Sequence, residues 1–152
     1  MSDLVEKLKA GKARMAERCR EVATKLAEEA GVQKIDESRA GKRACAMPQI
    51  KAIAVPPPTT RRRLYIWAHE CAHVALNHVG KKPKHRQEYE AERWAQDALR
   101  RHGVPVPKKS TEQGKKYVRW KISQAVRRGA KHIDKEAAKW SGWTFPLFWN
   151  GA

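Results

Sequence analysis

No stretch of this 152-residue chain approaches the run of about 18–20 apolar residues that a membrane-spanning helix needs, so no membrane partner is expected. Its first residues, Met1-Ser2-Asp3-Leu4, lack the basic-then-apolar pattern of a secretion signal. Cysteine is scarce as well. Cys19, Cys45 and Cys71 are odd in number and none sits in a Cys-x-x-Cys pair, which argues against a disulfide framework and for reduced thiols. These absences predict a soluble cytoplasmic protein. Internal repeats and low-complexity tracts are missing, which removes solenoids and linker-like chains from consideration. Acidic residues are few, 16 against 33 Lys plus Arg, leaving a net charge of +17. Such an excess points toward an acidic partner without naming a fold. The 41% hydrophobic content, with six Trp, is too high for a disordered chain, and the length suits one compact domain.

The apolar residues Leu4, Leu8, Met15, Cys19, Val22 and Leu26 recur at helical intervals and predict an N-terminal helix with one face on the core, Gly11 interrupting its first turns and Gly31 ending it. Ala44 to Met47 and Ile50 to Val55 read as two short strands, the second bounded by Pro56-Pro57-Pro58. Thr59 or Thr60 caps a second helix that runs through Leu64, Trp67 and Ala68 to Gly80 and is apolar on most of its circumference. Lys81 to Arg86 reads as a basic loop. Helices follow over 87–102, about 112–128 and about 133–140.

Within the second helix stands His69-Glu70-Cys71-Ala72-His73. Four residues on a helix give about 6 Å of rise and about 40° of rotation, so both imidazoles can reach one tetrahedral zinc. Glu70, one step round the helix, suits a general base acting on a water whose pKa the metal lowers to about 7. Burying two unliganded imidazoles and a carboxylate among apolar residues would be costly, which favours a metal site over core histidines. A hydrolytic zinc needs a third protein ligand. Leu76 stands where an extended three-histidine motif needs Gly, and His78, about 140° round the helix from His73, reads as a helix-end residue. Periodicity leaves Glu88 and Glu90 open as the third ligand, both flanking the apolar face of Ala91, Trp94, Ala95 and Ala98, and turns Glu92 further out. Tyr65, Tyr89 and several Arg are candidate oxyanion stabilisers.

The segment Leu64-Tyr65-Ile66-Trp67-Ala68-His69-Glu70-Cys71-Ala72-His73, followed by Leu76, His78 and Glu90-Ala91-x-x-Trp94-Ala95, resembles the ImmA/IrrE-type zinc metallopeptidases over residues 50–107. Trp94 stands where that family usually has Phe. The resemblance implies a zincin-like fold, Zn2+ held by His69, His73 and Glu90, Glu70 as catalytic base, and cleavage of intracellular regulatory proteins, often DNA-binding repressors of mobile elements or phage. Glu88 is the alternative third ligand.

From Gln113 to Ile133 there is no Asp or Glu, while Lys115, Lys116, Arg119, Lys121, Arg127, Arg128 and Lys131 are interleaved with Tyr117 and Trp120. That composition suits non-specific contact with nucleic acid or another polyanion. Trp143, Phe145, Phe148 and Trp149 are expected to pack back on the helices. The expectation is therefore an α+β, mostly helical, zincin-like domain over residues 1–107 with a small sheet, and a basic helical extension over 108–152. Its expected activity is zinc-dependent hydrolysis of a peptide or protein. A nucleic-acid-binding protein with a silent zinc site and a metal-dependent nuclease are the alternatives.

Overall fold

The computed structural model describes residues 2–80 and 82–146. It is mostly helical with one small sheet, an α+β architecture. In chain order the elements are α1 (Ser2–Ala30), β1 (Lys34–Asp36), β2 (Cys45–Met47), a 3-10 turn (Pro48–Ile50), β3 (Ala52–Ala54), α2 (Arg61–Ala75), α3 (Lys84–Arg101), α4 (Lys108–Arg127) and α5 (Lys135–Ser141). No helix among the described residues is long and apolar enough to cross a membrane.

The sheet has the order β1-β3-β2, with β1 parallel and β2 antiparallel to β3. Two strands were expected and three are present. The third, Lys34–Asp36, is exposed along its length and carries no apolar alternation by which it could be read. Central β3 is buried on both faces, so the alternation expected of a half-buried strand is absent from it. Ile50 belongs to the 3-10 turn that precedes it.

One core joins Cys19, Val22 and Leu26 of α1, Ile53 of β3, Leu64 and Trp67 of α2, and Ala95 and Leu99 of α3. The Trp67 indole N–H donates to the carbonyl of Pro56 at 2.6 Å, tying the three-proline stretch to α2. A second, smaller core gathers Val118 and Ile122 of α4 with Ile133, Ala137 and Ala138, and Tyr89 of α3 and Trp143 pack against it. Phe145 lies edge-on to Trp143 and is itself exposed. Phe148 and Trp149 lie outside the described residues.

α1 departs from expectation in two ways. Gly11 does not interrupt it, and Leu4 and Leu8, assigned to the core face, are 61% and 59% exposed. A 29-residue helix is about 43 Å long, and burial begins only at Cys19, so its first half overhangs the core. The three cysteines are free.

Candidate metal centre

The first turns of α2 are set by Thr60, whose hydroxyl accepts from the Arg63 N–H at 3.2 Å. Tyr65, His69 and His73 then follow at intervals of four and share one side of the helix. α3 crosses them in the opposite direction. Its own residues at intervals of four, Glu88, Glu92 and Gln96, meet them in turn: Glu88 reaches His73 and His69, Glu92 reaches His69 and Tyr65, and Gln96 donates to the Tyr65 hydroxyl.

Three ligand atoms converge at one end of this double row. His69 Nε2 lies 3.1 Å from Glu88 Oε2 and 3.2 Å from His73 Nε2, and His73 Nε2 lies 3.6 Å from the same carboxylate oxygen. A tetrahedral zinc with bonds of about 2.0–2.1 Å has ligand–ligand edges of about 3.3–3.4 Å. The observed triangle therefore has the size that zinc requires, with one apex of the tetrahedron left over. His69, His73 and Glu88 form a group that can hold a metal ion.

Glu90, the ligand implied by the family resemblance, is elsewhere. Its carboxylate pairs with Lys82 at 3.0 Å and Arg86 at 3.4 Å, and stands 3.9 Å from His78 Nε2. This placement has a simple cause. Glu92 and Gln96 are buried because α2 supplies polar partners for them, and with Leu99 they rotate the inward face of α3 toward Glu88. Glu90 lies about 160° from Glu88 on the helical wheel, on the other side of that face.

Each histidine is backed by a further group. Glu92 Oε1 lies 3.0 Å from His69 Nδ1, within ion-pair range but off the line of a straight hydrogen bond, and Glu92 Oε2 accepts the Tyr65 hydroxyl. Behind His73 stands His78, the two Nδ1 atoms 2.8 Å apart. His78 arrives there because α2 stops at Ala75, earlier than the Gly80 expected. Asn77 adopts a left-handed φ of 49°, the Asn77 N–H donates to Val74 and the His78 N–H donates back to the His73 carbonyl at 3.0 Å. That closure is a Schellman turn with Asn in place of the usual Gly, and it folds His78 over the last helical turn. Partners of this kind fix the ring orientation of a metal-binding histidine.

The electrostatics couple the histidines tightly to the carboxylates. Burial would raise the Glu88 carboxyl, yet hydrogen bonds with His69 and His73 hold it well below the usual carboxylate range. Burial would lower His69, and Glu88 and Glu92 outweigh it, raising that histidine. His78 is pushed down to about 4 by burial and by His73, which keeps it neutral beside its neighbour. The Tyr65 hydroxyl is raised by burial and by Glu92 and so remains a donor. Glu70 is buried, and that burial lifts its carboxyl above the ordinary range against the pull of His69 and His73.

These groups line a cleft of about 870 Å³, bordered by β2 and its approach, α2, and the starts of α3 and α4. α4, read from sequence as a basic extension, is part of the site. Tyr117 enters the cleft and accepts a hydrogen bond from Arg43 at 2.5 Å. Gly114 packs on the Glu92 carboxylate so closely that a Cβ there would overlap it. Of the seven expected polyanion-binding cations, Lys116, Arg127, Arg128 and Lys131 are exposed. Lys115 lies over Trp140, Lys121 over Tyr117 and Trp120, and Arg119 donates to the Ser141 carbonyl. Trp120 is 45% exposed, whereas Tyr65 is engaged with Glu92 and Tyr89 with Trp140.

No protein-family model, curated protein or solved structure matches this chain.

Gly114 offers a direct test of the backing. An ordinary Gly→Ala change inside a helix stabilises by about 1 kcal/mol. Here the added methyl displaces a carboxylate held by Tyr65 and facing His69, so Gly114→Ala is expected to weaken zinc binding about 10–100-fold, as loss of an outer partner does. Competition against a chromophoric chelator measures it; unchanged affinity would show that Glu92 does not orient His69.

Proposed function

We propose that this chain is a cytoplasmic zinc-dependent peptidase of the ImmA/IrrE type, hydrolysing a peptide bond in a regulatory or nucleic-acid-associated protein. The observation that carries the reading is the triangle of His69, His73 and Glu88 donor atoms, of zinc-binding size, with Glu70 buried one residue away in the same cleft. A zinc ion held by His69, His73 and Glu88 would supply Lewis acidity and acidify water in the cleft.

The chain's own groups divide the remaining work. Glu70 is placed to accept the proton of the attacking water and pass it to the leaving amine, and burial raises its carboxyl above the ordinary range. Arg43 donates to the Tyr117 oxygen, which leaves the phenolic proton free to be donated into the cleft. Tyr117 remains protonated because burial and the nearby Glu88 raise it. Together Tyr117 and Arg43 are suited to the carbonyl oxygen of the scissile bond as it gains negative charge. Glu92 with Tyr65, and His78 with Glu90, hold the two histidines in place.

Elemental analysis of the purified protein, with hydrolysis of a mixed library of internally quenched peptides, tests the proposal. About one zinc per chain is expected, with cleavage lost on chelation and restored by zinc. Protein that carries no metal and takes none up overturns it.

A further inference from the structure

The charge of the cleft is divided by depth. Its three carboxylates, Glu70, Glu88 and Glu92, are at the floor, and two of them are engaged with His69, His73 and Tyr65. Its lining also holds five cations, Arg39, Lys42 and Arg43 from the loop before β2, Arg62 from the first turn of α2, and Lys84 from the first turn of α3. None of the five forms an ion pair with a carboxylate among the described residues, whereas Arg20, Lys82 and Arg86 elsewhere do. Arg43 is the one held in place, by Tyr117, through its hydrogen bond and by lying over the ring.

Cations brought together from three elements around one opening repel each other, and the carboxylates near them, Glu70 by Arg43 and Asp36 by Arg39 and Lys42, offset only part of that charge. A cleft whose outer wall carries an excess of one sign concentrates ligands of the opposite sign there. We infer that the cleft recognises an acidic peptide segment, with Lys42, Arg62 and Lys84 reading carboxylates on either side of the bond placed over the metal centre. This rests on the peptidase reading and adds the substrate class to it. Nucleic acid offers the same negative charge, but the floor of this cleft carries Glu70, a base suited to peptide chemistry.

Fluorescence anisotropy with a labelled Glu/Ala-rich twelve-residue peptide, on zinc-loaded and on chelated protein, tests the inference. A Lys/Ala-rich peptide of equal length and a single-stranded 20-mer DNA serve as comparisons. The acidic peptide is expected to bind at least about tenfold more tightly than the basic one, and Lys42→Ala/Arg62→Ala to weaken it about fivefold or more. Lys12→Ala/Lys25→Ala, which removes the same charge from exposed positions on α1, is expected to change it less than about twofold. Quenched peptides then show whether cleavage follows the same order.

Equal losses from the two double variants would mean that net charge alone attracts the peptide, and the inference falls. It also falls if the oligonucleotide displaces the peptide and itself depends on Lys42 and Arg62, or if cleavage is indifferent to acidic residues. Because binding is read on chelated protein too, failure of the peptidase reading is separable. Acidic-peptide binding through the cleft with no metal uptake leaves the recognition standing and removes the enzyme.

Discussion

Glu88→Gln is expected to lower zinc affinity by at least about a hundredfold, beyond the 10–100-fold typical of an outer partner, while Glu90→Gln costs about tenfold or less. The two substitutions make the same chemical change two residues apart on one helix. Glu88 Oε2 is one corner of the donor triangle, and an amide in its place cannot supply the negative charge that two neutral imidazoles lack. Glu90 is separated from the centre by His78 and His73, and its carboxylate is already paired with Lys82 and Arg86. Removing its charge affects the metal only through the orientation of His78. Isothermal titration with zinc on both variants decides the matter. The reverse order, with Glu90→Gln losing the metal and Glu88→Gln keeping it, would mean that the helix turns to present the family-type ligand when zinc binds.

Much of this site was readable because helical spacing carries it. His69, Glu70 and His73 declare themselves through a four-residue interval inside an apolar helix. The rows Tyr65-His69-His73 and Glu88-Glu92-Gln96 extend the same interval on both partners, a pattern fully present in the sequence. The second row was obscured because apolar residues alone defined the inward face of α3. Glu92 and Gln96 are buried because Tyr65 and His69 give them polar partners, so their inward position depends on a contact across helices.

The position of His78 was hidden for a different reason. Its place depends on one residue, Asn77, leaving the helical region, and a continued helix would have carried His78 away from His73. Asn tolerates the left-handed conformation better than other residues with a Cβ, so Asn-His after an apolar helix is a usable stop signal. Nothing comparable announces Gly114 or Tyr117. Their part in the site follows from the docking of α4 on α3, which no local pattern encodes. The basic helix that looked like an appendage supplies both an aromatic wall of the cleft and the floor behind Glu92.

Glu70→Gln is expected to reduce peptide hydrolysis about 10²–10⁴-fold, the range for loss of a general acid–base group, with zinc affinity changed by less than about threefold. The split follows from position. Glu70 follows His69 directly, so its side chain leaves the helix about 100° away from the ligand direction, and it is no corner of the donor triangle. Its burial removes water that would otherwise compete for the proton, and His69 and His73 moderate the resulting rise in basicity. Gln keeps the size and one acceptor oxygen, so the cavity is preserved while proton transfer is lost. Glu70→Asp retracts the carboxylate by one methylene and should recover part of the rate, which a purely steric role would not allow. Rates on the most readily cleaved quenched peptide, measured beside zinc content for each variant, separate the cases. Activity surviving in Glu70→Gln would show that the water is deprotonated by another group. Loss of zinc together with activity would instead make Glu70 part of the metal's support.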